Sequence, residues 1–243
     1  MDISVIIPAL NEEATVGIVV AELRMTGPSE VIVVDNGSTD RTAQIAADAG
    51  ARVICEPRRG YGAACLAGSQ AANGKVLVFM DADGSFSAGE VAALANPIRD
   101  GQAELVLGSR LLSANSEEAV LPHQRFGNWL AVRLLRLFTG LQVTDLGPFR
   151  AIHRDVLARL QMSEMTYGWP VEMMVKAQRL RCRILEVPVS CRPRMAGRSK
   201  VSGTIKGSVL AGYHIIRVII AHGLCSGRGE VSSWREKTIS DVG

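Results

Sequence analysis

Asp81 and Asp83, with Ala82 between them, follow the apolar run 76–80. Carboxylates so spaced at the end of a buried strand can hold a divalent cation that also takes diphosphate oxygens, because Mg²⁺ typically uses one or two carboxylates together with phosphates. A second polar cluster, DNGSTD at 35–40, follows the run 31–35. Asp35 and Asn36 sit where the ring N–H groups of a base could be read, whereas Ser38, Thr39 and Asp40 suit the capping of a helix. The segment 192–206, RPRMAGRSKVSGTIK, carries Arg192, Arg194, Arg198, Lys200 and Lys206 and no acidic residue. Its glycines and serines suit a loop that closes over phosphates, with the cations donating charge-assisted hydrogen bonds. The turn RRGYG at 58–62 precedes a helix of small residues, and a glycine-rich turn at a helix N-terminus can approach phosphate.

These residues need elements to position them. Short β-branched or apolar runs predict strands at 3–8, 31–35, 51–55, 76–80 and 104–108. Helices are expected between them, at 11–25, 41–49, 62–72 and 90–98. Acidic Glu12 and Glu13 stand where the first of these would begin. Such alternation implies an α/β fold, a parallel sheet with helices on both faces. Ligands then bind outside the carboxyl ends of the strands, where both polar clusters lie. The second half is less regular. A polar loop is expected at 111–122, a basic amphipathic helix at 126–138, a strand at 149–154, a helix at 170–180 and an edge strand at 183–189. A basic loop at 191–206, an apolar helix at 207–222 and a small, polar tail from 225 complete the chain. This divides it into a main domain at 1–206, a C-terminal helix at 207–223 and a disordered tail at 224–243.

Composition narrows the function classes. The 243 residues are 47% hydrophobic and 21% charged, which excludes a disordered or collagen-like chain. A net charge of +3 is too mild to imply a nucleic-acid partner. No uncharged apolar run is long enough to span a membrane, and the start MDISVIIPALNEE lacks the basic region and cleavage site of a signal peptide. The five cysteines are scattered and form no CxxC, which predicts reduced thiols in a cytoplasmic protein and no cysteine-based zinc site. The four histidines show no metal-ligand spacing. Neither GxGxxG nor GxxxxGK[ST] occurs, which argues against dinucleotide and P-loop sites, and no GxSxG supports a serine hydrolase.

As a set and in this order, VIIPALNEE, VIVVDNGSTDRT, RRGYGAACLAG, VFMDADGS, LGSR, DLGPFRAIHR, TYGWPVEM and EVPV…RPRMAGRSKVSGT resemble family 2 glycosyltransferases of the GT-A fold. The nearest group is the dolichyl- or polyprenyl-phosphate sugar transferases. The resemblance covers roughly residues 3–204. It implies a mostly parallel Rossmann-like sheet with a C-terminal helical and basic-loop extension. It implies a hexose moved from a UDP- or GDP-sugar to a polyprenyl-phosphate-type acceptor with Mg²⁺ or Mn²⁺. Pro8 and Glu12 match the nucleotide-contacting first loop, Asp35 and Asn36 the base-contacting pair, and Asp81, Ala82 and Asp83 the metal and diphosphate motif, with Asp81 and Asp83 as ligands. Arg110 of LGSR resembles an arginine near the acceptor phosphate, and Arg125 is a further acceptor-side candidate. Arg194 and Lys200 match the R…GxSK element that covers phosphate. Two departures stand out. Asn36 replaces a frequent second aspartate, leaving UDP and GDP both open, and Ser85 stands where some lipid-phosphate mannosyltransferases have glutamine near the metal.

The acceptor decides what else is required. A lipid phosphate is already anionic and needs cationic positioning, which Arg110 and Arg125 supply. A sugar hydroxyl needs a carboxylate base, for which Asp145 and Glu172 are the candidates. A noncatalytic nucleotide-sugar-binding subunit is the alternative from another class, opposed by the intact DAD and R…GxSK. A nucleotidyltransferase would carry a glycine- and basic-rich signature where this chain has PALNEE. The segment 126–138, FGNWLAVRLLRLF, combines an aromatic and leucine face with arginines, the pattern of a helix lying at a membrane surface; packing against the sheet is the competing expectation.

Overall fold

The computed structural model describes residues 2–113, 122–197 and 205–223. Strands β1 (Ile3–Ala9), β2 (Glu30–Asp35), β3 (Arg52–Cys55), β4 (Val76–Phe79), β5 (Leu105–Ser109), β6 (Arg150–His153) and β7 (Ile184–Pro188) form one 7-stranded sheet in the order β3-β2-β1-β4-β6-β5-β7. β6 runs antiparallel to β4 and β5, and every other pairing is parallel. The expected α/β class therefore holds, with one antiparallel strand that helix–strand alternation did not foretell. Between β5 and β6 the chain runs through α5 (Pro122–Thr139) and a loop at 140–149, and it enters β6 from the opposite end.

The central strands are apolar almost throughout because helices cover both faces. Alternate residues feed two cores. Ile6, Ile32, Phe79 and Leu107 face one side, and Val5, Ile7, Val33 and Val106 the other. Helices α1 (Val16–Met25), α2 (Thr42–Asp48) and α4 (Val91–Arg99) cover the second side. The first side carries α3 (Tyr61–Ala71), α5 (Pro122–Thr139), α6 (Arg154–Leu160), α7 (Trp169–Arg179) and α8 (Ile205–Gly223). The small residues of α3 let it press close to the sheet: a Cβ on Gly68 would lie 2.4 Å from the Ile6 side chain. The edge strands β3 and β7 are the half-exposed ones, as Pro188 implied for β7.

Three expectations need correction. α1 begins at Val16, not at Asn11. Asn11 has φ 50°, its side-chain oxygen accepts from the Thr39 N–H at 2.8 Å, and the Glu12 N–H donates to Thr42 Oγ1 at 2.8 Å. Residues 11–15 are thus a turn tied to the next loop. α6 was not foreseen; His153 caps it by accepting from the Asp155 N–H at 3.3 Å. The C-terminal helix α8 starts at Ile205 rather than at 207, and its Val218 and Ile219 complete the first core. Most of the expected 111–122 loop, and the tail at 224–243, lie outside the described residues.

Candidate active site

Most of the described candidate residues converge at the carboxyl ends of β1, β2, β4, β5 and β7. On the nucleotide side, Pro8 lies near the end of β1, opposite Val34. Asp35 ends β2, is 9% exposed, and its Oδ1 accepts from the Ser38 N–H at 3.0 Å. Asn36 does a different job from the one its place suggested. Its Nδ2 donates to the carbonyls of Glu56 at 2.9 Å and Arg58 at 2.7 Å, and its Oδ1 accepts from the Gly60 N–H at 2.8 Å. Both amide protons are consumed in pinning the loop after β3, whereas Asp35 keeps one carboxylate oxygen beyond its Ser38 bond. Ser38, Thr39 and Asp40 are structural: Ser38 Oγ accepts from the Asn11 N–H, and Asp40 Oδ1 accepts from Thr42.

The turn 58–62 is not a phosphate cradle. The Ala63 N–H at the start of α3 donates to the Met165 carbonyl at 3.0 Å, and a Cβ on Gly60 or Gly62 would lie 2.2 Å from the Met165 or Glu164 carbonyl oxygen. The glycines admit another loop, not a ligand. Gly60, at φ 147°, also has a backbone that other residues rarely adopt.

At the end of β4, Asp83 Oδ1 accepts from the Ser85 N–H at 2.9 Å, while its Oδ2 lies 3.0 Å from Arg194 Nη2. The other guanidinium nitrogen, Nη1, reaches both Glu12 oxygens at 3.0 and 3.2 Å. Arg194 thereby joins the first loop to the aspartate turn. The backbone supports it: Arg192 N–H donates to the Ser85 carbonyl at 2.8 Å, and Met195 N–H to the Asp83 carbonyl at 3.1 Å. Gly84, at φ 72°, has a backbone that other residues rarely adopt, and a Cβ there would have to displace Met195 Sδ where the strap crosses. Lys200 lies outside the described residues.

Asp81 is half-buried, and among the described residues none donates a hydrogen bond to it. Burial, and then the Asp83 charge, push its carboxyl up to about 7. Beneath it lie Tyr61, Cys65 and Arg150. Burial raises the Tyr61 phenol well above its ordinary value and the Cys65 thiol far above its own. Arg150 is 1% exposed and donates only to carbonyls, those of Leu146, Gly147, Pro148 and Pro170. Burial lowers its pKa to about 10. No role was assigned to Arg150 from sequence. A charged residue inside a central strand was the available signal, since arginine is almost never fully buried without a purpose.

Arg110, just past β5, forms a fork with Asp145: Nε to Oδ2 and Nη2 to Oδ1, both 2.8 Å, with its backbone N–H on Oδ2 at 2.9 Å. Burial alone would lower the Arg110 pKa, but the Asp145 bonds outweigh it and raise it. Glu186 of β7 fixes the Asp145 backbone from behind, accepting from the Thr144 N–H at 2.9 Å and the Asp145 N–H at 3.3 Å. Asn128 of α5 clamps the same loop, donating to the Thr144 carbonyl and accepting from the Leu146 N–H, both 3.0 Å. Arg125 is exposed at the start of α5, and among the described residues it touches none of the other candidates.

The two bases weighed for a hydroxyl acceptor are both engaged. Asp145 is held by Arg110. Glu172 is fully buried and accepts from the Ser163 N–H and Oγ, the Glu164 N–H and Lys176 Nζ. Burial would raise its pKa, but these donors outweigh it and lower it.

The donor set suits a small hard cation. No three His, Cys, Asp or Glu side chains among the described residues form a cage. Asp81 without a donor, two residues from Asp83, fits the one or two carboxylates that Mg²⁺ typically takes together with phosphate and water oxygens. The four described cysteines are free thiols.

With this geometry in hand, the comparisons are specific. The family model described as glycosyl transferase family 2 matches residues 4–161. An uncharacterized glycosyltransferase of Mycobacterium tuberculosis is 38% identical over 217 residues, 89% of this chain and 97% of that protein. A dolichyl-phosphate hexose transferase of Haloferax volcanii is 33% identical over 222 residues, 90% of this chain and 94% of that one. Among solved structures, glucosyl-3-phosphoglycerate synthase from M. tuberculosis, in complex with Mn²⁺, UDP-glucose and phosphoglyceric acid, superposes with a TM-score of 0.73 at 26% identity, over 91% of this chain and 79% of that one. The fold is the GT-A-like one expected, and the chain belongs to glycosyl transferase family 2, an enzyme family that transfers sugars.

Proposed function

We propose that this glycosyltransferase moves a hexose from a nucleoside diphosphate sugar to the phosphate of a polyprenyl- or dolichyl-phosphate-type lipid. One observation carries the choice of acceptor: Asp145 and Glu172, which a hydroxyl acceptor would need as base, are held by Arg110 and Lys176. A phosphate oxygen is anionic at neutral pH and needs no base. It needs a cation that holds it, and Arg110, anchored by Asp145, is aimed from the end of β5. The likeness to a dolichyl-phosphate hexose transferase supports the same acceptor.

In the reaction, an acceptor phosphate oxygen bonds to the anomeric carbon as the bond from that carbon to the diphosphate oxygen breaks. The nucleoside diphosphate leaves with the electron pair. Asp35 takes the base, with Pro8 and Glu12 in the adjoining loop. Asp81 and Asp83 would hold Mg²⁺ or Mn²⁺, which neutralises charge growing on the diphosphate. Arg194, and Lys200 beyond it in the same basic segment, donate to the same oxygens. Arg110 orients the acceptor, and Arg125 approaches the same headgroup from α5. Arg150 sets a positive charge under Asp81 and holds the 146–148 turn.

A second reading keeps the chemistry and changes the acceptor to a small phosphorylated acid, favoured by the superposition on a structure that holds phosphoglyceric acid. The test is a panel of UDP- and GDP-sugars with Mg²⁺ or Mn²⁺, offered polyprenyl phosphate, the matching prenyl alcohol, or 3-phosphoglycerate. Transfer to the prenyl phosphate alone is expected. Transfer to the alcohol would overturn the phosphate-acceptor reading, and transfer only to phosphoglycerate would establish the second one.

A further inference from the structure

The solvent-facing side of α5 is not polar. Ala131 and Leu135 point into the core, yet the opposite face exposes Phe126 at 64%, Trp129 at 53% and Leu137 at 75%, with Leu130 beside them. Phe126 and Trp129 stack with ring centroids 5.8 Å apart, and the Arg133 guanidinium lies 5.3 Å from the Trp129 ring centre. Arg125, Arg133 and Arg136 flank the rings, and α5 contains no acidic residue. α8 repeats the pattern: Tyr213, Ile216 and Ile220 form an exposed stripe, and that helix also lacks Asp and Glu. α8 packs against α5 on the same side of the sheet, so the two stripes are neighbours. A water-facing helix surface normally carries the polar residues. Here aromatic and aliphatic side chains alternate with arginines on helices of which none is long and apolar enough among the described residues to cross a membrane.

We infer that the outward faces of α5 and α8 form a docking surface for an anionic lipid bilayer, with the rings and aliphatic side chains entering the headgroup boundary and the arginines meeting lipid phosphates. Aromatic and aliphatic groups ringed by cations on a helix too short or too charged to span are what an interfacial helix requires. The charge pattern selects an anionic surface over an apolar protein partner, because exposed arginines stand among the apolar groups and no ion pair among the described residues engages Arg125, Arg133 or Arg136. The surface is also wired to the site. Asn128, next to Trp129, holds the Thr144–Leu146 loop that carries the Asp145 anchor of Arg110. A groove of about 310 Å³ runs between Trp129, Arg133 and Arg136 on one side and Thr144 and Glu186 on the other. The purpose of such a face rests on the lipid-phosphate reading above, whereas its existence is testable apart from it.

The experiment is flotation with vesicles of phosphatidylcholine, with or without phosphatidylglycerol and free of any prenyl phosphate, at low and high salt. The protein is expected to float with the anionic vesicles at low salt and to be released by high salt, because the attraction is partly screened Coulomb energy. Joint replacement F126S and W129S removes two exposed rings and should lower the bound fraction about tenfold or more. Transfer to a short-chain, water-soluble prenyl phosphate without vesicles should stay unchanged in that variant, which shows that it is folded. Wild-type protein that remains wholly soluble with anionic vesicles at low salt overturns the surface, even if it glycosylates the soluble prenyl phosphate. A dimer in sedimentation that W129S dissolves, without vesicle binding, also overturns it and assigns the face to a second copy. Vesicle binding without transfer to any prenyl phosphate upholds the surface and sinks the acceptor reading.

Discussion

The proposed donor side, built from β1 to β4, and the proposed acceptor side, built from β5 to α8, solve the same problem by different means. On the proposed donor side three candidate carboxylates sit at or just past the ends of parallel strands. Asp35 ends β2, and Asp81 and Asp83 follow β4 within a few residues. Backbone topology brings these three together, and Arg194 adds a side-chain tie between Asp83 and Glu12. On the acceptor side the positions come from pairings across long stretches of chain: Arg110 with Asp145, Asp145 with the Glu186 side chain, and the α5 clamp through Asn128. Parallel strand ends are a fixed scaffold, whereas a network of buried charges stands or falls with each member. Mutations should therefore act locally on the donor side and spread on the acceptor side.

The largest effect is expected at the aspartate turn. Asp83→Asn keeps the Ser85 hydrogen bond but removes the charge that faces Arg194 and the cation. Turnover should fall by about a hundredfold or more, the scale of losing one pre-set charge stabiliser, with thermal stability nearly unchanged. Substantial turnover at saturating Mn²⁺ would show that the cation sits elsewhere.

Next comes a test of whether Asp145 acts as base or anchor. Breaking the fork by Asp145→Asn leaves a mostly buried arginine without its counter-charge, and should lower stability by about 3 kcal/mol. As an anchor, Asp145→Asn raises the acceptor KM, and adding Arg110→Ala brings little further loss, because the two residues act as one unit. As a base, it would lower kcat at unchanged KM and remove one limb of the pH profile. Steady-state kinetics on the two single variants and the double variant decides between them.

The donor side has its own pH signature. With its pKa near 7 instead of 3.8, Asp81 carries a proton over much of the acid range. The folded chain binds that proton more tightly than the unfolded one, so the Asp81 contribution to stability falls as pH rises from 3.8 to about 7. A cation competes with the same proton. Mn²⁺ affinity, followed by electron paramagnetic resonance, should therefore weaken by up to about tenfold per pH unit below 7 and level off above it. Asp81→Asn should abolish that slope. A flat profile in the unaltered protein would separate Asp81 from the cation.

The contrast between the two sides also explains what was legible beforehand. Runs such as VIVVD and VLVFM declare buried strands, and the polar residues after them fall at strand ends by topology, so the placement of Asp35, Asp81 and Asp83 could be read from local sequence. The 11–15 turn was mistaken for helix because its shape depends on Thr39 and Thr42, some thirty residues away. β6 was seen as a strand but not as antiparallel, since direction is not a local property. Asp145 and Glu172 looked like bases because a lone carboxylate in a sequence does not reveal the arginine or lysine folded against it. Gly60 and Gly62 looked like a phosphate turn because the loop that fills their space, Glu164 to Met165, comes a hundred residues later.

The smallest expected effect is also the sharpest test of how local the donor side is. Asp35 and Asn36 are adjacent, and sequence pairs them as base readers. The structure separates them: Asp35 keeps one carboxylate oxygen beyond its Ser38 bond, while Asn36 donates both amide protons to the Glu56 and Arg58 carbonyls. Asp35→Ala should weaken nucleoside diphosphate binding about tenfold, the worth of one charge-assisted hydrogen bond to a base. Asn36→Ala removes three internal hydrogen bonds at a buried position and leaves two carbonyls and one N–H to find water. It should lower stability by about 1–3 kcal/mol and shift the nucleotide Kd by no more than about twofold. Asn36→Asp restores the carboxylate pair frequent in related transferases, but sets its charge against two carbonyl oxygens. Its stability should fall at least as far as that of the alanine variant. Calorimetric titration and thermal unfolding on the three variants read both quantities. Loss of nucleotide affinity in Asn36→Ala equal to that in Asp35→Ala, at unchanged stability, would return Asn36 to base recognition and undo the division between reader and loop anchor.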